Sequence, residues 1–310
     1  MTRGLPHAIR WMMACVAALL AACSPIRILN GAVPDDASTV LAGLSYGSDP
    51  RQVLDIYVPP GVQRPPVVVF VYGGSWSSGD RESYRFVGDA LNSRGILAVI
   101  IDYRLYPQVT YPDFVADTAQ AVAWTLDHIG AYGGDAGRVF LAGHSAGGYN
   151  AAMVALDPRW LARFGHSPQQ LKGWIGMAGP YEFLPIVSRT LRPIFHFPDT
   201  PPDSQPVVHA GADAPPTLLM AGTDDTLVDP VRNTRALADA LRRAGARVEQ
   251  VEYPGLGHQM LAGALARPLR WRAPVLDDLS RFVLAPVPPR LQGDPPCRRG
   301  GTGARTKRER

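Results

Sequence analysis

Cysteine is scarce in this sequence. The 310 residues include only Cys15, Cys23 and Cys297, so residues 24–296 contain no cysteine. A disulfide framework needs several cysteines, usually an even number, and a thiolate metal site needs ligands at close spacing. Both kinds of site are therefore excluded from the body of the chain.

The body also lacks an excess of positive charge. The formal net charge is +4, but seven basic and two acidic residues follow position 289, and Arg3 and Arg10 lie at the other end. Residues 11–289 therefore carry a net charge of −3. Because proteins bind a nucleic-acid backbone through clustered Lys and Arg, we expect no nucleic-acid partner. Residues 286–310 are expected to form a disordered basic tail.

The N-terminal apolar stretch is short. Residues 11–22 fall well below the roughly 20 residues of a membrane-spanning helix. They follow two arginines and end in small residues, which predicts a signal peptide at residues 1–22. The Leu-Ala-Ala-Cys segment at residues 20–23 also resembles the bacterial lipobox, in which the cysteine is lipidated.

This resemblance implies lipidation of Cys23. Residues 23–44 would then be a tether, and the following domain would lie in the cell envelope of a bacterium, in the periplasm or outside, anchored to a membrane surface. The alternative is an ordinary secretory leader in which Cys23 has no role.

Strand-like and helix-like segments alternate along the body. Continuous apolar runs at residues 66–72 and 96–101 are typical of strands buried on both faces. Shorter strand patterns occur at residues 54–58, 139–142, 217–220 and 248–253, and helix patterns at residues 83–93, 112–129, 147–156 and 230–244. This alternation predicts one α/β domain over residues 45–285, a mostly parallel, doubly wound sheet with helices on both faces.

One segment interrupts the alternation. Residues 179–214 are rich in proline and aromatic residues and show no clear period. They predict an irregular excursion over the sheet, which is either a lid that influences substrate choice or a packed surface loop.

The strongest motif is Gly-His-Ser-Ala-Gly at residues 143–147, which fits G-x-S-x-G. It lies directly between a predicted strand and a predicted helix, the context in which this motif forms a sharp turn that exposes a nucleophilic serine. Ser145 is therefore the candidate nucleophile. The backbone N–H of Ala146 would lie at the helix N-terminus, where it can stabilise an oxyanion.

A serine hydroxyl needs a base, and the base needs an acid, in the chain order Ser, Asp, His. His258 follows the last predicted strand in a Gly-Leu-Gly-His loop, a position that no other histidine after the motif shares. Asp224, Asp225 and Asp229 all lie shortly after the strand at residues 217–220, and the residues alone do not decide among these three acids.

A second glycine motif follows the early strand at residues 66–72. It reads Tyr-Gly-Gly-Ser-Trp at residues 72–76. Glycines allow close backbone approach to a substrate, and successive N–H groups can point into one cavity. The loop is expected to supply the other half of an oxyanion hole; the alternative is a plain glycine turn with Trp76 as a core aromatic.

From residue 45 to about 284, these motifs resemble the carboxylesterase and lipase branch of the α/β-hydrolases, including the hormone-sensitive-lipase-like and kynurenine-formamidase-like esterases. The HGGG or HGGxW loop of those families implies Gly74 and Ser75 as oxyanion donors with Ala146. Their D-x-x-V pattern matches residues 225–228 and selects Asp225. The sequence departs from the families at Tyr72, where they usually carry histidine.

The resemblance implies a serine carboxylic ester hydrolase that works through an acyl-enzyme on a small or medium ester. The body shows no His, Asp and Glu cluster with ligand spacing, so we expect no metal and no cofactor. One alternative is an amidase of the arylformamidase type, because the same triad serves both reactions. A second alternative is a surface binding protein that kept the fold without the chemistry.

Overall fold

The structure is a computed structural model that describes residues 29–34 and 38–286. The predicted signal peptide, Cys23 and nearly all of the predicted basic tail lie outside these residues.

The strands of the described residues form one eight-stranded sheet in the order β1-β2-β4-β3-β5-β6-β7-β8. Strand β1 pairs antiparallel with β2, and β2 pairs antiparallel with β4, whereas all other neighbours are parallel. The strands are β1 (Thr39–Ser45), β2 (Val53–Val58), β3 (Val67–Val71), β4 (Leu97–Ile101), β5 (Val139–His144), β6 (Gly173–Met177), β7 (Thr217–Gly222) and β8 (Val248–Tyr253). The predicted α/β fold with a mostly parallel sheet is confirmed.

Helices of the described residues lie between or after these strands in the sequence and cover the faces of the sheet. They are α1 (Arg85–Asn92), α2 (Asp113–His128), α3 (Ala146–Leu156), α4 (Arg159–Ala162), α5 (Ala236–Arg243), α6 (His258–Gly263) and α7 (Val275–Leu284). Every residue of β3 and of β4 is fully buried, although successive side chains of a strand point to opposite faces. Both faces of the sheet are therefore covered, which explains the continuous apolar runs of these strands.

Residues 29–34 and 38–44 of the expected tether are part of the folded body, whereas residues 23–28 and 35–37 lie outside the described residues. Leu29 and Val33 pack against the core, and residues 39–45 form strand β1 at the edge of the sheet. The side chains of β1 are almost all exposed. Backbone pairing with β2, rather than apolar burial, therefore holds this strand in place. Its apolar residues Val40, Leu41 and Leu44 do not alternate with polar ones, so the sequence lacks the pattern of a half-buried strand.

Helices α4 and α7, strand β6 and helix α6 were also not predicted. Strand β6 has the sequence Gly-Trp-Ile-Gly-Met and is buried throughout, but its glycines interrupt the apolar pattern. His258 was expected in a loop, whereas it is the first residue of the short helix α6, with Gly257 at the N-cap. The position after β8 is as predicted, but the local structure is helical.

The predicted irregular excursion at residues 179–214 contains no strand and only short helical turns. Its Phe195 is fully buried and packs edge-on against Trp76, with ring centroids 4.9 Å apart. The side chain of Asn233 accepts hydrogen bonds from the backbone N–H groups of Tyr181 and Glu182 at 2.7 and 3.0 Å. These contacts hold the segment against the body as a packed loop.

Candidate active site

Ser145 occupies a sharp turn between β5 and α3. Its backbone has φ of 57° and ψ of −125°. Residues other than glycine rarely adopt this conformation, so the neighbouring structure must hold it in place. A Cβ at Gly143 would lie 2.2 Å from the carbonyl oxygen of Gly147, and a Cβ at Gly147 would lie 2.0 Å from that of Val71. Only glycine fits at either flanking position, which is why the motif requires both.

His258 lies in contact with the serine and with an aspartate. Its Nε2 atom is 2.8 Å from Oγ of Ser145, and its Nδ1 atom is 2.7 Å from Oδ2 of Asp225. The structure thus brings together the three residues that were proposed for the triad. Asp224 is exposed and accepts from the hydroxyl of Thr223, and Asp229 accepts from the backbone N–H of Val231, so neither alternative acid serves His258.

The loops after β7 and β8 hold Asp225 and His258 together. The backbone N–H of Asp224 donates to the carbonyl oxygen of Leu256 at 3.0 Å, and that of Thr223 donates to the carbonyl oxygen of Tyr253 at 3.0 Å. A Cβ at Gly222 would lie 2.1 Å from the carbonyl oxygen of Leu256. This close packing places the two loops at the carboxyl edge of the sheet, where parallel α/β folds form their sites.

The carboxylate of Asp225 is buried and fully engaged. Its Oδ1 atom accepts from the backbone N–H groups of Leu227 and Val228 at 2.9 and 2.8 Å. Burial acts to raise the pKa of Asp225, but the hydrogen bonds from His258, Val228 and Leu227 outweigh it and hold the pKa below its usual value. The group therefore stays ionised and can orient the imidazole and balance its positive charge.

The expected oxyanion donors lie beside Ser145. A Cβ on Gly73 would be 2.8 Å from Cβ of Ser145, so the glycine loop passes directly against the nucleophile. Gly74 has φ of 138° and Ser75 has φ of 52°. The hydrogen bonds of the described residues leave the backbone N–H groups of Gly74 and Ser75 without an acceptor, and Ala146 is the first residue of α3. These N–H groups are available to an oxyanion.

His144 follows no late strand, so the sequence does not indicate it as the base. In the structure it is buried, its ring centroid lies 4.9 Å from that of His258, and its Nε2 atom donates to the backbone carbonyl oxygen of His258 at 3.0 Å. Burial lowers the pKa of His144 to about 3. The ring is therefore neutral and acts as a hydrogen-bond donor rather than as a base.

Trp76 is both a core aromatic and part of the glycine loop. It is 1% exposed, and its Nε1 atom donates to Oδ1 of Asn150 at 2.9 Å. Asn150 lies on α3, the helix that follows the nucleophile, and it was not predicted as a site residue. The sequence signal for Asn150 is a single amide side chain in an otherwise apolar predicted helix.

Two cavities meet at Ser145. The first, here called the apolar cavity, has a volume of about 300 Å³ and is lined mainly by apolar side chains such as Trp76, Phe183, Ile186, Leu191 and Val228, although Glu182, Asp229 and Arg232 also line it. The second, here called the polar cavity, has a volume of about 420 Å³ and is lined by the polar side chains of Ser78, Asp80, Ser83, His258 and Gln259 together with Tyr84, Leu227 and the glycine backbone. Ser75, Ser145 and Leu227 line both cavities. The excursion at residues 179–214 supplies one wall of the apolar cavity, so it borders the substrate site while it is packed against the body.

Within residues 29–34 and 38–286, no group of three or more His, Cys, Asp and Glu side chains is arranged to hold a metal ion. The same part of the chain has no helix that is long and apolar enough to cross a membrane.

Comparison with known proteins gives a consistent result. The BD-FAE family matches residues 54–241. The probable isoprenylcysteine alpha-carbonyl methylesterase ICME of Oryza sativa subsp. japonica is 32% identical over 81% of this chain and 68% of its own length. The chain belongs to the BD-FAE family.

More distant relatives agree. Esterase LipC of Mycobacterium tuberculosis is 30% identical over 72% of this chain and 61% of its own length. Among solved structures, apo Thermogutta terrifontis esterase 2 has a TM-score of 0.67 and 26% identity, and the match covers 81% of this chain and 95% of that one. The protein is an α/β-hydrolase of the serine carboxylesterase class.

Proposed function

We propose that this protein hydrolyses an ester between a small or medium acid and a polar alcohol, with Ser145 as nucleophile, His258 as general base and Asp225 as the residue that orients His258. The observation that carries the proposal is the chain of short contacts from Asp225 through His258 to Ser145, located where the two cavities meet.

The reaction proceeds in two steps. His258 removes the proton from Oγ of Ser145 as this oxygen attacks the ester carbonyl, and the N–H groups of Gly74, Ser75 and Ala146 stabilise the oxyanion. The imidazolium then gives its proton to the alcohol oxygen, which leaves. In the second step His258 activates a water molecule that releases the acid from Ser145.

The position of His258 assigns the two halves of the substrate. The leaving alcohol must lie within hydrogen-bond reach of Nε2 of His258, because this atom supplies its proton. His258 lines the polar cavity and is absent from the lining of the apolar cavity. The alcohol therefore belongs in the polar cavity and the acyl group in the apolar cavity. A volume of about 300 Å³ lies at the lower end of the usual range of ligand sites, which favours a small or medium acyl group.

A crossover experiment tests this assignment. Leu191→Trp narrows the apolar cavity and should lower kcat/KM for p-nitrophenyl octanoate at least 10-fold more than for the acetate. Ser83→Tyr narrows the polar cavity and should change the preference among alcohols with the acyl group held constant. Val208→Trp, at a position that is 59% exposed and lines neither cavity, is the control and should alter neither preference by more than twofold. If Leu191→Trp changed the alcohol preference instead, the assignment would be reversed.

The catalytic assignment has its own test. A fluorophosphonate should label the wild-type protein and fail to label Ser145→Ala, and wild type should turn over p-nitrophenyl butyrate. A clear preference for N-formylkynurenine over aryl esters would instead favour the arylformamidase alternative. Absence of labelling on folded wild-type protein would favour a binding protein.

We further propose that the enzyme is a lipoprotein of a bacterial cell envelope, anchored through Cys23. The sequence at residues 20–23 supports the proposal, and Asn30, seven residues after Cys23, bonds to the backbone of Glu82 at 2.8 Å and of Phe86 at 3.1 Å. Seven residues span at most about 25 Å, so the anchor would hold the membrane near the 3-10 turn whose Ser83 and Tyr84 line the polar cavity. Metabolic labelling with a palmitate analogue should depend on Cys23 and disappear in Cys23→Ser; equal labelling of both proteins would contradict it.

A further inference from the structure

Tyr72, which replaces the usual histidine of the resembling families, is held tightly at the end of β3. Its side chain is fully buried, and its ring stacks on those of Tyr103 and Tyr84 with centroids 4.9 and 5.5 Å apart. A Cβ on Gly79 would lie 2.7 Å from the ring, so the chain at Gly79, with φ of 107°, packs directly on Tyr72. The ring thus has one position available.

Arg51 joins the two ends of the segment at residues 72–79, which contains the glycine loop. It lies in the turn before β2, and its Nη2 atom donates to the hydroxyl of Tyr72 at 2.7 Å and to the carbonyl oxygen of Gly79 at 2.9 Å. Its Nε atom donates to the carbonyl oxygen of Tyr103 at 2.9 Å, and the hydroxyl of Tyr103 donates to the carbonyl oxygen of Tyr72 at 3.0 Å. A planar guanidinium can hold several acceptors in fixed directions, whereas a lysine ammonium cannot.

The loop between these two ends carries the oxyanion donors Gly74 and Ser75, both at positive φ. Backbone in this region is held by its surroundings, and oxyanion donors lower a barrier only when they are already aimed at the developing charge. Burial raises the pKa of Tyr72 far above its usual value, so its hydroxyl stays neutral and can accept from Arg51.

We propose that Arg51 and the hydroxyl of Tyr72 are positioning residues for ester hydrolysis. Together they fix residues 72–79 so that the N–H groups of Gly74 and Ser75 point at the oxyanion. This inference rests on the proposed ester hydrolysis at Ser145. It assigns a function to the tyrosine that distinguishes this chain from the families that it resembles.

Tyr72→Phe tests the proposal, because it removes the hydroxyl and keeps the stacked ring. Arg51→Met removes the donors, and Arg51→Lys keeps the charge but can reach fewer acceptors. We expect Tyr72→Phe and Arg51→Met to lower kcat about 10-fold with KM for p-nitrophenyl butyrate unchanged, and Arg51→Lys to recover part of the loss. Affinity for an alkyl trifluoromethyl ketone, which forms a tetrahedral adduct with an oxyanion, should fall by the same factor as kcat/KM.

The readouts separate positioning from stability. Rates are counted per active site titrated with a fluorophosphonate, so partial unfolding does not lower them. Arg281→Met is the matched control for Arg51→Met: it removes a guanidinium that donates to Glu249 at 2.9 Å, between α7 and β8, and should leave kcat unchanged. The proposal is overturned if kcat per titrated site stays within twofold of wild type in both Tyr72→Phe and Arg51→Met, or if Arg281→Met loses as much. Failure of wild type to be labelled or to hydrolyse esters would instead contradict the proposed function.

Discussion

Nε2 of His144 lies 3.0 Å from the backbone carbonyl oxygen of His258, so the residue before the nucleophile holds the residue that activates it. This contact joins the last residue of β5 to the first residue of α6, directly beside Ser145. It makes the geometry of the triad depend on the protonation state and the size of a residue outside the triad.

The low pKa of His144 predicts acid sensitivity. Burial, together with the nearby His258, lowers its pKa to about 3, whereas histidine in an unfolded chain has a pKa near 6.5. Below pH 6.5, His144 is protonated in the unfolded chain but stays neutral in the folded chain. The stability that the protein gains from a buried, neutral His144 is therefore complete above pH 6.5 and is lost as the pH falls towards 3. At pH 5 the loss amounts to about 2 kcal/mol.

Urea denaturation at pH 7.5 and pH 5 measures this loss. His144→Gln does not titrate and can still donate to the carbonyl oxygen of His258. Wild type should therefore lose about 2 kcal/mol more than His144→Gln over this pH interval. Equal losses in the two proteins would show that His144 does not govern the acid response.

Substitution of Asp225 should lower kcat, whereas the same substitution of its neighbour Asp224 should not. Asp225→Asn keeps the shape but presents the wrong partner to Nδ1 of His258, and we expect kcat to fall by roughly 10³ to 10⁴ with little change in KM. Asp224→Asn is the matched control, because Asp224 is exposed and its carboxylate accepts from Thr223 rather than from His258. Steady-state kinetics on p-nitrophenyl butyrate measures both variants, and a comparable loss in Asp224→Asn would contradict the assignment.

The features predicted from the sequence are those with a recognisable residue pattern. Strands β3 and β4 are buried on both faces, so their sequences are continuous apolar runs. The glycines on either side of Ser145 are required because a Cβ at either position would lie 2.2 Å or less from a backbone oxygen. By contrast, Gly176 in β6 is small because the hydroxyl of Tyr181 would lie 2.1 Å from a Cβ there. A side chain of the irregular segment after β6 imposes this requirement, and periodicity cannot reveal it.

The site shows the same division. The position of Ser145 follows from its motif, but the selection of Asp225 over two other acids depends on which way a turn directs each side chain. Arg51 lies 21 residues before Tyr72 in no recognisable motif. The one signal for it was the tyrosine itself, because a changed residue in the oxyanion loop requires a different partner.

The hydrogen bond between Trp76 and Asn150 should stabilise the glycine loop. Both side chains are buried, and Nδ2 of Asn150 also donates to the hydroxyl of Thr118 at 3.2 Å. Asn150→Ala leaves the indole N–H without an acceptor, and we expect a loss of about 1–3 kcal/mol in the free energy of unfolding. A double-mutant cycle with Trp76→Phe, measured by urea denaturation, should give a coupling of at least about 0.5 kcal/mol. Additive losses would mean that the two side chains do not stabilise each other.

Arg104 should be important for stability rather than for chemistry. It follows Tyr103 in the Asp-Tyr-Arg-Leu segment, and its guanidinium donates twice to Asp117, at 2.7 and 2.8 Å, while Asp117 is 1% exposed. Arg104→Met leaves the carboxylate of Asp117 buried without its counter-ion, which typically costs about 3–5 kcal/mol. Arg242→Met is the control: it breaks an exposed pair with Asp239, and such pairs contribute about 1 kcal/mol or less.

Thermal and urea unfolding measure the stability of both arginine variants, and fluorophosphonate titration corrects the activity of each for its folded fraction. We expect Arg104→Met to unfold far more readily than Arg242→Met but to retain kcat per titrated site within twofold of wild type. The neighbouring Asp102 accepts from Arg81 and approaches Arg51, so a large loss of kcat in Arg104→Met would show that this ion-pair network extends to the oxyanion loop. The Asp-Tyr-Arg-Leu segment would then influence catalysis as well as folding.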